Sequence, residues 1–269
     1  DRLAKRGVTF TRAYCAAPVC NPSRAALLSG LRPGSTGVYD NGEDWRTVVP
    51  PDLTLVSRFR QHGYWTGGVG KIYHGGFDRD SEWQEYGRGG KAAPAPVKRD
   101  NVGVIRWGEI EGGDEAGHDR PTADWTIERL KARRDRPFFL CCGFFKPHMP
   151  WEVPKKYFDL YPLEKIELPP FRENDLDDIP PAGLDMASSK LHDDIVKAGK
   201  WKEAVRAYLA AVTYADHEIG RVLDALDASP NRDDTIIVLW GDHGWHLGEK
   251  HHWRKFSLWE EATRAPLLW

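Results

Sequence analysis

Short apolar runs alternate with longer amphipathic stretches along this chain. Val8 to Tyr14, Tyr64 to Val69, Phe138 to Phe145, Thr235 to Trp240 and Pro266 to Trp269 are rich in β-branched and aromatic residues and have the length of strands. Between them the spacing turns helical. Ser23 to Gly30 follows Pro22 and closes on glycine, Thr54 to His62 stops before Gly63, and Thr122 to Arg133 follows Pro121, which are start and stop signals of short helices. The longest stretch, Trp201 to Ala228, carries Val205, Tyr208, Val212, Ala215, Ile219, Val222 and Leu226 at three- and four-residue steps. This stripe predicts one long helix lying on a sheet. Strands alternating with helices predict an α/β fold with a mostly parallel central sheet. Residues 75–120 and 162–183 show little period and read as long loops, which in a compact domain shape clefts.

Composition then limits the partners. Hydrophobic residues make up 41% of the 269 and charged residues 29%, which excludes a disordered or coiled-coil chain and makes one large domain the simplest division. Lys+Arg 38 against Asp+Glu 40 leaves a formal charge of -2, so no nucleic-acid partner is expected and any anion must be held by a local cluster. No apolar run approaches the about 20 residues that span a bilayer, so no membrane partner is expected either. The chain starts at Asp1 and stops inside the apolar run from Ala265 to Trp269, which reads as a fragment of a longer protein.

Cys15, Cys20, Cys141 and Cys142 include no C-x-x-C pair and are too few for a disulfide framework. Cys141 and Cys142 adjoin in an apolar strand, so they are expected on opposite faces as inert core residues. Cys20 differs. It stands before a helix start with Arg24 four residues on, and both the helix N-terminus and the guanidinium stabilise negative charge there. Three strand ends carry more such chemistry: Lys71 and His74, then Lys146 and His148, then Asp242 and His243. Ligands of open α/β sheets bind beyond the carboxyl ends of strands, so these residues form one candidate anion site. Lys250, His251, His252 and Arg254, near Lys255, are candidates for basic walls around a polyanion. Trp45, Trp65, Trp83, Trp107, Trp151, Trp245 and Trp253 lie in or beside predicted loops, where rings stack on sugars, with Trp245 and Trp253 foremost.

The string from Cys15 to Gly30, with Cys20-x-Pro22-Ser23-Arg24 followed by Leu and Gly, resembles the signature of the sulfatases, a family of the alkaline phosphatase-like superfamily. Gly70-Lys71-x-x-His74, Lys146-Pro147-His148-x-Pro150 and Gly241-Asp242-His243-Gly244-Trp245-x-Leu247-Gly248-Glu249, with Trp253 and Lys255 beyond, are similar to its iduronate 2-sulfatase-like branch. The likeness covers almost the whole chain.

The resemblance implies an alkaline phosphatase-like α/β fold and hydrolysis of sulfate esters. Cys20 is then the residue that a maturation enzyme oxidises to formylglycine. Its hydrate attacks sulfur through one hydroxyl and expels sulfate through the other, which a plain thiol cannot do. Arg24 steadies the hydrate, and Lys71, His74, His148 and Lys255 hold sulfate oxygens or act as acid and base, with His148 or Lys255 protonating the leaving alcohol. Asp242 and His243, with position 20, contribute to a Ca²⁺ site that bridges the sulfate and the nucleophile. The family also has a strand upstream of Asp1 ending in two aspartates, and a smaller C-terminal subdomain. Residues 1–269 are therefore expected to be one incomplete catalytic domain with a partial metal shell, doubtful as an enzyme alone. The expected substrate is a sulfated carbohydrate, foremost a 2-O-sulfated uronic acid of a polysaccharide, and the expected residence is periplasmic, secreted or lysosomal. Hydrolysis of phosphomonoesters or phosphonates, and binding of sulfated glycans without catalysis, stay open as alternatives.

Overall fold

The computed structural model describes residues 1–90, 94–187 and 190–269. Its strands are β1 (Trp65–Gly70), β2 (Glu85–Gly87), β3 (Lys98–Val102), β4 (Ile105–Ile110), β5 (Phe138–Gly143), β6 (Trp151–Pro154), β7 (Leu239–Trp240), β8 (His246–Leu247), β9 (Trp253–Arg254) and β10 (Leu267–Leu268). The helices are α1 (Cys20–Ser29), α2 (Pro33–Thr36), α3 (Leu55–Gln61), α4 (Arg120–Lys131), α5 (Lys155–Asp159), α6 (Pro181–Ala187), α7 (Lys190–Lys197), α8 (Trp201–Asp227) and α9 (Glu260–Thr263).

β1 is the middle strand of the sheet that carries the site. It runs parallel to β2 on one side and to β5 on the other, with Gly67 opposite Glu85 and Leu140. Trp45, Val49, Val56, Ile72, Tyr73 and Trp83 form a core against one face, joined there by Phe139 and Cys141. The other face meets α4, where Thr126 bonds the Cys142 thiol. The two thiols do point to opposite faces, and burial pushes both up to about 12, so neither is a nucleophile at neutral pH.

The predicted loop at 75–120 is instead partly sheet: β3 and β4 form an antiparallel hairpin, and β4 then pairs in parallel with β6. The hairpin escapes a sequence search because β3 reads Lys-Arg-Asp-Asn-Val and lies largely in solvent. Gly103, at φ 55, takes the first place of its two-residue turn, where a side chain is disfavoured. Residues 162–183 hold only a short 3₁₀ turn and the start of α6.

α8 forms as predicted and lies on strands, with Val205, Ala215 and Leu226 of the expected stripe buried, but its buried face is shifted toward small residues. It packs on β4, β6, α4 and α5, not on the β2-β1-β5 sheet. Its deepest residues are Ala204, Ala207, Ala210, Ala211 and Tyr214, whereas Val212 is exposed. Alanines let the flanking elements approach closely, and they share the buried face with Val205, Leu223 and Leu226.

Two predicted strands are corrected. Val8 to Tyr14 lies along the C-terminal segment, with backbone bonds between Val8 and Trp269 in both directions and from Phe10 to Leu267, but it forms isolated bridges, Thr9 to Leu268 and Tyr14 to Arg264, instead of a strand, with Val8 and Tyr14 exposed. Of Thr235 to Trp240, only Leu239 and Trp240 are strand, and they pair antiparallel with β10. The remainder has no partner strand among the described residues, and Ile236 is 84% exposed. Unpaired, an apolar run has nothing to hold it in a ladder.

Candidate active site

α1 sets the centre. Val19 is extended, the helix starts at Cys20, and Gly30 closes it in the left-handed region at φ 73. Cys20 is 1% exposed. Arg24 lies one turn further on, and its Nε and Nη2 each meet Asp242 Oδ2 at 2.9 Å. Its Nη1 donates to the carbonyls of Lys71 and, at 3.0 Å, Ile72. Ser23 Oγ donates to the Asp242 carbonyl at 2.5 Å. One helical turn thus ties the loops after β1 and β7 together. Arg24 makes no hydrogen bond to Cys20 Sγ; its donors hold Asp242 and the backbone.

Around Cys20 Sγ stand Lys255 Nζ at 2.6 Å and His243 Nε2 at 3.3 Å, with 3.1 Å between those two nitrogens. His243 Nδ1 lies 2.8 Å from the Gly244 carbonyl, which can only accept, so Nδ1 carries a proton and Nε2 is the nitrogen that faces the cysteine and the lysine. Burial pushes the Cys20 thiol up, but the His243 hydrogen bond and the Lys255 ammonium outweigh it and bring the thiol down to about 7. Burial also opposes ionisation of Asp242, yet Arg24, His243, Lys255 and Lys71 lower it to about 2. Asp242 is therefore a permanent anion within a cationic cluster.

The glycine end of β1 delivers Lys71. A side chain on Gly70, at φ 78, would run into the Gly143 carbonyl, and Lys71 N–H donates to that same carbonyl at 2.7 Å. Lys71 Nζ lies over the Phe145 ring at 4.6 Å, and burial lowers its pKa. His74, also lowered by burial and then by Lys71, has a buried Nδ1 without a hydrogen-bond partner among the described residues.

His148 enters from the loop after β5. Its Nδ1 lies 2.6 Å from the Met149 carbonyl, and burial, then Lys71 and Lys255, hold its pKa near 3. It is a neutral imidazole whose free nitrogen is Nε2. Lys146, lowered to about 8 by burial, donates to the Pro150 carbonyl inside the loop. Asp119, a residue the sequence did not single out, fixes this loop by accepting the N–H groups of Phe145 and Lys146 at 2.8 Å each. An aspartate before a helix start signals an N-cap, but Asp119 makes no cap bond and spends its carboxylate on the loop.

The expected basic walls and stacking rings are mostly structural. His252 lies between the carbonyls of Ala187 and Lys255, His251 reaches the Arg172 carbonyl, and Lys250 pairs with Asp175. Of the seven tryptophans, Trp45, Trp83, Trp107, Trp151 and Trp253 are buried in cores. Trp245 does border the site, edge-on to His148 at 5.9 Å, and its Nε1 has no hydrogen-bond partner among the described residues.

Cys20, Asp242 and His243 offer ligand atoms within 4.8 Å of one another. They fit one side of a metal shell, with one carboxylate and one imidazole lone pair. Ca²⁺ takes 6–8 oxygens, so the trio is a partial set.

An α/β protein that gathers lysines, imidazoles and a helix N-terminus beyond the ends of parallel strands has an anion site of the kind used on acidic esters. The chain belongs to the sulfatase family, whose model matches residues 1–269. It is 43% identical over 293 residues to a sulfatase of Formosa agariphila, covering 100% of this chain and 58% of that protein. It is 31% identical to human iduronate 2-sulfatase over 303 residues, covering 100% and 54%. Among solved structures, the phosphonate monoester hydrolase of Silicibacter pomeroyi shares the fold at TM-score 0.77 and 21% identity, over 99% of this chain and 61% of that one. The chain thus spans a little over half the length of the relatives it matches.

Proposed function

We propose that these residues form the nucleophile side of an enzyme that hydrolyses sulfate esters on a carbohydrate, a 2-O-sulfated uronic acid or a related sugar of a sulfated polysaccharide. One observation carries the reading: Cys20, at the first turn of α1, faces Lys255 and His243 while Asp242 stays ionised beside them. A maturation enzyme is needed to convert Cys20 to formylglycine, whose hydrate supplies both the attacking hydroxyl and the second hydroxyl that releases sulfate. Sulfated glycans are met mainly outside the cytosol, so periplasmic, secreted or lysosomal residence belongs to the same proposal.

The chain's own groups take distinct parts. Lys71 and Lys255 supply positive charge to the sulfate oxygens, acting in a partly dry site where such charges count for more. His148 is neutral and has Nε2 free, so it accepts a proton or a hydrogen bond. That leaves the Lys255 ammonium as the donor to the departing alcohol. His74 adds a second neutral ring beside Lys71. Asp242 and His243 would hold part of a Ca²⁺ shell, and such an ion lowers the charge cost at the ester.

The test is the mass of the tryptic peptide from Ala13 to Arg24, taken from the full-length protein made with a maturation enzyme, together with turnover of an aryl sulfate. Formylglycine is lighter than cysteine by about 18 Da, whereas the sulfenic, sulfinic and sulfonic acids are heavier and reduction of the peptide removes any disulfide. A lighter peptide with turnover is the expected result. An unmodified Cys20 in an active enzyme would remove the mechanism.

A further inference from the structure

We infer that Arg254 is a specificity residue that holds a second anionic group of the substrate, a carboxylate or another sulfate next to the ester being cleaved. The inference rests on the sulfatase reading above and narrows its substrate to sugars that carry two neighbouring anions.

Two other cations at the site, Arg24 and Lys255, have hydrogen-bond partners in the structure. Arg24 is bonded to Asp242, Lys255 to Cys20 and His243, and Lys71 stands over Phe145. Arg254 is different. Its Nε is buried without a hydrogen-bond partner, and among the described residues no carboxylate lies within ion-pair distance of its guanidinium. A guanidinium carries five donors in a fixed fork that matches a carboxylate or sulfate edge. Leaving such a group partly desolvated and unpaired is costly, so the fork is shaped for an acceptor that arrives with the substrate.

Position and backbone support this. The guanidinium carbon lies 5.2 Å from the Phe256 ring centre, and the guanidinium is close enough to Cys20 for the charge at position 20 to act on it. Arg254 nevertheless makes no hydrogen bond to Cys20 Sγ, whereas its neighbour Lys255 does. It therefore stands one step outside the ester-cleaving centre. Among the described residues, the non-glycine positions in the left-handed region are Lys250, His251, Arg254 and Phe256, with φ of 52, 54, 77 and 77. Strained backbone of this sort persists only where its surroundings hold it, and it gathers at binding sites. Here the β8–β9 pair, with Arg254 opposite His246, and a bond from Phe256 N–H to the Pro18 carbonyl fix the segment. The direction of the side chain is thus set in advance of binding.

The experiment compares kcat/KM of the mature full-length enzyme and its Arg254→Ala and Arg254→Lys variants on four substrates. These are an aryl sulfate, a 2-O-sulfated uronic acid glycoside, the methyl ester of that glycoside, and a disulfated neutral sugar. The expected result is a ratio of two-anion to aryl substrate that falls about 10- to 100-fold in Arg254→Ala, with partial rescue in Arg254→Lys. Esterification should cost the wild type a similar factor and the alanine variant far less. A fall confined to the uronate identifies a carboxylate as the partner, and one confined to the disulfated sugar identifies a sulfate. An unchanged ratio, whether or not the variant loses stability or overall rate, overturns the inference. If the mature wild type cleaves none of the four, the sulfatase reading itself fails, an outcome distinct from an unchanged ratio.

Discussion

Lys255 Nζ lies 2.6 Å from Cys20 Sγ, although 235 positions separate the two residues. The contact places an ammonium where a nucleophile at position 20 and an ester oxygen would meet. Replacing Lys255 with Met should lower kcat of the mature enzyme on an aryl sulfate by about 10²–10⁴-fold, while the melting temperature moves little. An activity within threefold of wild type would assign proton donation elsewhere.

Asp119 offers a test of loop positioning. The variant Asp119→Asn keeps the size but leaves one fewer acceptor for the Phe145 and Lys146 N–H groups. It should destabilise the protein by about 1–3 kcal/mol in urea unfolding. It should also lower kcat more than it raises KM, because the loop it releases carries His148. Loss of stability with kcat unchanged would make Asp119 a core residue only.

Acid should weaken the fold through buried histidines. Burial, followed by neighbouring charge, holds His148 and His246 near 3 and His192 near 4, all below the ordinary 6.5. Between those values the unfolded chain binds the extra proton, so stability is complete above about pH 6.5 and falls as pH drops toward the folded values. Each such ring costs about 1–2 kcal/mol at pH 5. His192 lies away from the candidate site, bonded to Trp253 Nε1 at 3.2 Å. Denaturation midpoints at pH 7 and pH 5 should lie closer together in His192→Gln than in wild type.

Calcium titration of the 269-residue chain addresses the metal shell. With one carboxylate and one imidazole beside Cys20, calorimetry should show no binding tighter than about 10⁻³ M, the weak end of known Ca²⁺ sites. A micromolar constant would mean that residues 1–269 contain donors beyond this trio.

Much of the site was legible before any coordinates because it sits on strand ends. β5 is an apolar run and β1 a short glycine-rich one, and each is followed by lysine and histidine, so Lys71 and His148 could be placed from pattern alone. Asp119 could not, since its carboxylate answers backbone groups 26 and 27 positions away that carry no sequence mark. β3 was hidden by its charged, solvent-facing composition, and part of the buried face of α8 by alanines that a hydrophobic stripe overlooks. The run at Thr235 shows the opposite failure: local pattern asks for a strand, but a strand also needs a neighbour.

The burial of Cys20 sets a clock. At 1% exposure the folded site hides this cysteine from a second protein, and Phe256 N–H is bonded to the Pro18 carbonyl two residues before it. On the proposed function, oxidation of Cys20 by a maturation enzyme is expected to come before Lys255 folds onto it. During synthesis at about 5–20 residues per second, the 235 positions between them give an interval on the order of ten to fifty seconds. The yield of active protein would then follow from a race between modification and folding, and slower translation of the intervening segment should raise it.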